Sequence, residues 1–437
     1  MADEENLIIS SQTKSRSFAR YASHSHDELH DFRTWLKWLC VDQSNHWSAC
    51  LSWFVFFALA IVVPAVSHFV LTCGADCDSF HSRPYDAVTQ LSLSGIAALS
   101  FICLSTFVRK YGLRRFLFFD KLRDESETVR NGYTQQFNRS LKILFVFVLP
   151  CFAAETAYKI WWYTSGGTRI AFLGNVVVSN TVACVLELCS WFYRSMVFFL
   201  VCVLFRLLCY LQILRMQDFA LVFQVNSNVE TVLREHLRIR RHLMIISHRY
   251  RAFILCALFF ITASQLSSLL MTTRPNADVN LYHSGELAVC SVSLVAGLLI
   301  LLRSAARITH KAQAVTCLAS KWHVCATIDS FDTTETETPV TRMVEERIFS
   351  ATCSDGSFDL DDVGDEEDEL DNSKFVPMYT HSTISFQKRQ ALVTYFENNR
   401  AGITVYGFML DRSSLNTIFG LELSLVLWLL GNTTGIS

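Results

Sequence analysis

Charge is the first thing this chain is short of. Asp, Glu, Lys and Arg make up 18% of its 437 residues, against about a quarter in an ordinary soluble domain. Proline and glycine are few as well, at 6 and 16 residues, which excludes collagen-like and Pro/Gly-rich disordered chains. There is no Gly-rich phosphate loop, no His-Glu-x-x-His, no Gly-x-Ser-x-Gly and no paired Cys-x-x-Cys. The common catalytic and zinc signatures are therefore missing, and no enzyme activity, cofactor or metal is expected. The first 46 residues are polar and mixed in charge, without the apolar core of a cleaved signal peptide. What is abundant is apolar: 51% of the residues are hydrophobic, 34 of them Phe. Most of the fifteen cysteines lie inside apolar runs, where Cys behaves as a small hydrophobe.

A spanning helix needs ~20 mainly apolar residues, because the hydrocarbon core is ~30 Å thick and each residue rises ~1.5 Å. Seven stretches qualify: 47–73, 87–108, 143–163, 188–213, 252–272, 282–302 and 413–431. The fold class is all-α, a polytopic membrane protein. Apolar character around the fourth span runs from Ile170 to Leu214, long for one crossing, yet no Gly or Pro breaks it between Glu187 and Arg194. Residues 170–187 read as a partly buried surface segment leading into one long helix. The expected organisation is a cytoplasmic segment 1–46, six spans with helical extensions over 47–327, an acidic insert 328–382, and an anchor helix plus last span over 383–437.

Lys and Arg collect on the cytoplasmic side of a membrane. The connections 1–46, 109–140, 213–251 and 304–412 hold five, eight, seven and ten of them, whereas the opposite connections hold only Arg83, Arg169 and Arg274. Thirty of 33 loop cations thus share one side. This predicts a cytoplasmic N-terminus and an outer C-terminus, the reverse of a receptor coupled to G proteins. An eighth span would put Arg215 and the arginines of 234–241 outside, against the rule.

The insert 355–371 carries ten acidic residues and no Lys or Arg, a composition that cannot bury a core and predicts disorder. It is no helix-loop-helix calcium site: counting from Asp359, positions five and twelve are Val363 and Leu370. Beyond it, Leu392, Tyr395 and Phe396 fall at helical spacing and form one apolar stripe. Other cytoplasmic helices or a neighbouring subunit must cover that stripe, and we expect it at a subunit interface. On the outer side Cys73 and Cys77 are close enough in sequence for a disulfide.

Ionisable groups in hydrocarbon cost roughly 2.5–3.5 kcal/mol each on insertion scales, so each needs a partner, water or a function. Glu155 and Lys159 stand one turn apart on the third span and can pair with each other. Alternatively they line an outward-facing pocket with Trp162, Trp191 and Arg194, the last placed to meet Glu187 or Glu155. His68 on the first span is a further pocket candidate, or a hydrogen-bonded packing residue. Glu422 sits mid-way along the last span beside Thr417 and Ser424. It lines a pore with them, or is a neutral carboxyl buried within the bundle.

The topology resembles that of the insect odorant and gustatory receptor superfamily. The stretch from Gly407 to Gly431, GFMLDRSSLNTIFGLELSLVLWLLG, resembles the plant gustatory-receptor-like proteins, a family of unknown function. The resemblance implies a tetrameric ligand-gated cation channel in the plasma membrane. Its last helix would line a central pore, the preceding cytoplasmic helix would anchor the tetramer, and a small-molecule ligand would bind in the outer halves of the other helices. The insect last helix carries Thr-Tyr, five mainly apolar residues, then Gln-Phe. Here Thr417 matches, Ile418 replaces Tyr, Ser424-Leu425 replaces Gln-Phe, and Glu422 interrupts the apolar run. The rival readings are a non-conducting receptor or scaffold and, behind it, a secondary transporter, for which internal repeats are lacking. Nucleic acid is not an expected partner; the lipid bilayer is.

Overall fold

The structure is a computed structural model that describes residues 46–70, 83, 85–111, 127–165, 175–225, 229–273, 281–332 and 386–434. The chain divides into two compact units, Met1–Ala58 and Leu59–Ser437. In the first unit the described residues form α1, His46–Phe57, uncharged but for its histidine and carrying exposed Trp47, Phe54 and Phe57. A π turn follows at Ala58–Val62. The second unit contains α2 (Val63–Val70), α3 (Asp86–Tyr111), α4 (Glu127–Thr164), α5 (Val176–Val225), α6 (Val229–Thr272), α7 (Leu281–Asp332), α8 (Phe386–Asn398) and α9 (Arg412–Thr434). Between α8 and α9 lies a two-stranded hairpin, β1 (Thr404–Val405) and β2 (Phe408–Met409).

Among the described residues, seven stretches are long and apolar enough to cross a membrane: His46–Phe69, Asp86–Lys110, Lys142–Thr164, Val176–Phe219, Val229–Thr272, Ser284–Val324 and Arg412–Gly431. The chain is an integral, multi-pass membrane protein whose solvent is the bilayer. Many Ser and Thr inside these helices return their hydroxyls to the carbonyl one turn back, as Ser100 does to Ile96 (2.8 Å) and Thr156 to Phe152 (2.7 Å). They therefore cross hydrocarbon without orphaned donors.

The fourth span is one uninterrupted helix of 50 residues. It starts earlier than the sequence suggests. The Asn175 side chain accepts from the Val177 amide at 3.0 Å, an N-cap that satisfies one of the free donors at a helix start. Residues 176–187 thus belong to the spanning helix and not to a surface segment. α7 also outruns its apolar part, continuing to Asp332. Small residues Ala305, Ala306, Ala312 and Ala319 are buried along that extension; alanine suits a helix interior and permits close packing.

α5 is the centre of the second unit, packed by α4, α7, α3 and α6. Its apolar window is 83% buried, against 17% for α9, so α9 rests on the outside of its own chain, against α7 and α6. The end of α9 is pinned by Leu429, which clusters with Tyr85 and Leu287. Its start is pinned by Asp411, whose carboxylate accepts from both the amide and the hydroxyl of Ser414 at 2.8 Å. The hairpin turn has Tyr406 at φ 48° and Gly407 at φ 94°, both left-handed, as a two-residue hairpin of this type requires. Hydrogen bonds from the Ile403 amide to Thr309 (3.1 Å) and from the Thr404 amide to Ser247 (3.2 Å) seat it on α7 and α6. Residues 1–45 of the N-terminal segment, residues 333–382 of the acidic insert, the Cys73–Cys77 pair, Arg169 and Arg274 lie outside the described residues.

Candidate functional site

Five segments bring charged side chains together near one end of the bundle. Lys159, on α4, is the hub. Its Nζ lies 3.0 Å from Glu187 of α5, 3.2 Å from Glu286 of α7, and 3.7 Å from Glu155 one turn back on its own helix. Glu187 also accepts from Ser67 of α2 at 2.5 Å and from the Tyr163 hydroxyl at 3.0 Å. Arg83 Nη1 reaches both Glu187 oxygens at 3.4 Å, while its guanidinium stacks 3.6 Å above the Trp162 ring. Burial alone would lower its proton affinity, but the Glu187 and Glu286 carboxylates outweigh that and raise it.

The network continues into α3. Gln90 donates its amide to Glu286 at 3.3 Å and to Asp86 at 3.1 Å. The second Asp86 oxygen is 3.0 Å from His68 Nδ1. Arg194 meets neither Glu187 nor Glu155 in any bond the geometry supports; it donates to the Gln90 carbonyl (3.5 Å) and the Ser94 hydroxyl (3.2 Å). Lys159 and Arg83 hold Glu187 instead. The folded bundle takes the charges out of water and compensates them mainly with one another, since Glu155, Lys159, Glu187, Arg194 and Glu286 are all 5% exposed or less.

The six pocket candidates therefore share one region. Glu155, Lys159, Trp191 and Arg194 border a cavity of about 10 Å³; Trp162 carries Arg83, and His68 pairs with Asp86 at the edge. The cavity has room for about one water molecule, so in this conformation the charges close the site on themselves. Sequence reasoning missed Glu286, Asp86, Gln90 and Arg83. Glu286 was legible as the one acidic residue inside the sixth apolar run. Arg83 was counted only as a cation of a connection between spans, and its side chain is 3% exposed.

On α9, Glu422 turns into its own chain. It is 1% exposed and accepts from Thr262 of α6 at 2.5 Å. Thr417 and Ser424 are exposed on the opposite side. On α8, Leu392 and Phe396 are buried by the same chain, with Phe396 edge-on to His236 of α6 at 4.5 Å. The stripe thus has its cover in α6 and α7 of its own chain. Tyr395 is half-buried and borders an open surface groove with Gln387, Gln390, Thr394 and Asn398.

No curated protein matches the chain. Among solved structures its fold is similar to that of the insect olfactory receptor OR5 from Machilis hrabei in complex with eugenol. The TM-score is 0.54 at 11% identity, over 92% of this chain and 99% of that one. A second structure of that receptor gives 0.48 at 12% identity over the same shares. At this identity the likeness concerns the fold. A protein family described as of unknown function, DUF3537, matches residues 27–421, and the chain belongs to that family.

Proposed function

We propose that the chain is one subunit of a ligand-gated, non-selective cation channel of the chemoreceptor kind. It assembles as a homotetramer in the plasma membrane, with the N-terminus in the cytoplasm and the C-terminus outside. The observation that carries this reading is the uncovered face of α9. Ser413, Thr417, Gly420 and Ser424 recur at helical spacing and are all exposed, a small and polar strip on an otherwise apolar spanning helix. Thr417 and Ser424 return their hydroxyl protons to Ser413 and Leu421 of their own helix, and their free oxygen lone pairs suit a water-filled axis shared by copies of the chain. The fold shared with a receptor that binds eugenol supports a small molecule as ligand, received among the outer ends of α3, α4, α5 and α7.

The test is to purify the full chain in detergent, determine its oligomeric state, and record from it in planar bilayers. Tetramers that pass cations are the expected result; monomers without current would overturn the reading. A second reading, a non-conducting receptor or scaffold signalling through its cytoplasmic loops, is favoured by Glu422, which faces Thr262 and not the exposed strip. Glu422→Gln separates the two: altered permeation supports a pore role, and altered stability with unchanged permeation supports burial.

A further inference from the structure

The cavity of about 10 Å³ is bordered by Gln90, Glu155, Lys159, Glu187, Arg194 and Glu286, among others. Two features set it apart from a packing defect. The first is a group of orphaned polar atoms on its walls, in which three acceptors outnumber one donor, the Trp191 indole N–H. Both Glu155 oxygens and the Gln90 side-chain oxygen are buried and accept no hydrogen bond among the described residues. The nearest positive group to Glu155 is the Lys159 ammonium at 3.7 Å, which lies closer to two other carboxylates. The second is charge. On its walls three carboxylates, Glu155, Glu187 and Glu286, face two cations, Lys159 and Arg194, a formal excess of one negative charge; Asp86 and Arg83 stand behind the walls, on His68 and on Glu187. His68 is 37% exposed and meets Asp86 at the rim, away from the cavity walls. A buried charge without a counterpart is costly in a low dielectric, and polar cavities of this size hold an occupant.

We propose that this cavity is a binding site for one small monovalent cation (sodium, potassium or ammonium), held by the Glu155 carboxylate and the Gln90 amide oxygen. A single positive charge neutralises the cluster, and a water-sized ion fits the space. A multivalent ion does not suit it. No group of three His, Cys, Asp or Glu among the described residues is arranged to hold a metal ion of any charge, so the ion rests on one carboxylate and one amide oxygen, and Lys159 and Arg194 repel a second charge. The inference stands on the geometry of the cluster and holds whether or not the chain conducts.

The test is thermal unfolding of the full chain in detergent, in the chlorides of sodium, potassium or ammonium. The reference is N-methylglucamine chloride at equal ionic strength, a cation too large for the cavity. Wild-type protein should gain several degrees in a saturable manner with at least one small cation. Glu155→Gln, an isosteric neutral replacement, should lose that gain and be less dependent on the salt used. Should Glu155→Gln not fold, Gln90→Leu keeps the charges and should raise the half-saturating cation concentration at least tenfold. Equal stability in all four salts would overturn the site. So would a cation-specific gain that survives both substitutions, and so would a stability that follows pH alone, which would assign the missing charge to a proton on Glu155.

Discussion

Replacing Lys159 with Met tests the charged cluster most directly. The methionine keeps much of the length and apolar stem of the lysine and removes only the ammonium. That ammonium is the one group within 4 Å of three buried carboxylates, at 3.0, 3.2 and 3.7 Å. The carboxylates are not equally dependent on it. Glu187 retains Arg83, Ser67 and Tyr163. Glu286 retains only the Gln90 amide at 3.3 Å, and Glu155 retains nothing that donates to it among the described residues. Removing one partner of a buried pair costs about 3–5 kcal/mol, because the other charge is left in a low dielectric. Lys159→Met should therefore lose about that much in reversible unfolding of the purified protein. The double variant Lys159→Met with Glu155→Gln should regain part of the loss, since it removes the carboxylate left with no donor among the described residues. A Lys159→Met protein as stable as wild type, or a double variant no better than the single one, would refute the account of the cluster as mutually compensating charges.

Three other outcomes are expected. Gly297→Ala places a methyl group against the Phe198 ring where α7 meets α5 and should cost about 1–3 kcal/mol through overpacking; Gly285→Ala on the same helix, with open space around it, is the neutral control in the same denaturation assay. Phe396→Ala should cost about 3–5 kcal/mol in monomeric as well as assembled protein, because His236 of the same chain covers the ring; a loss confined to the assembled form would show that a neighbouring copy covers it. The Asp411 carboxylate is held below the usual range by the amide and then the hydroxyl of Ser414, so the stability it contributes is present above pH ~4 and is lost as the pH falls through its folded value. Asp411→Ala should accordingly lower stability at neutral pH and flatten its dependence on acid, as followed by melting temperature between pH 3 and 7.

How much of this was written in the chain order depends on whether the cause is local. The count of seven spans follows from apolar runs of sufficient length, a property each segment carries alone. The single long helix through Glu187 and Arg194 follows from the missing Gly and Pro together with the arginines beyond Leu214, again without reference to any other segment. The start of that helix was misread because the signal is one residue, Asn175, whose capping is visible only once the backbone turns. Pairing is different. Lys159 has one acidic neighbour a turn away in sequence, and that is its longest ion pair; its shorter ones, to Glu187 and Glu286, come from helices 28 and 127 residues further along. Helical spacing names the residues that share a face of one helix. It does not name which helix lies opposite, because that choice is made by the packing of α5 among its neighbours. The same limit decided Glu422 and the α8 stripe. Sequence marked Glu422 as costly in hydrocarbon and Leu392 and Phe396 as needing cover, and only the tertiary structure supplied Thr262 for the first and His236 for Phe396.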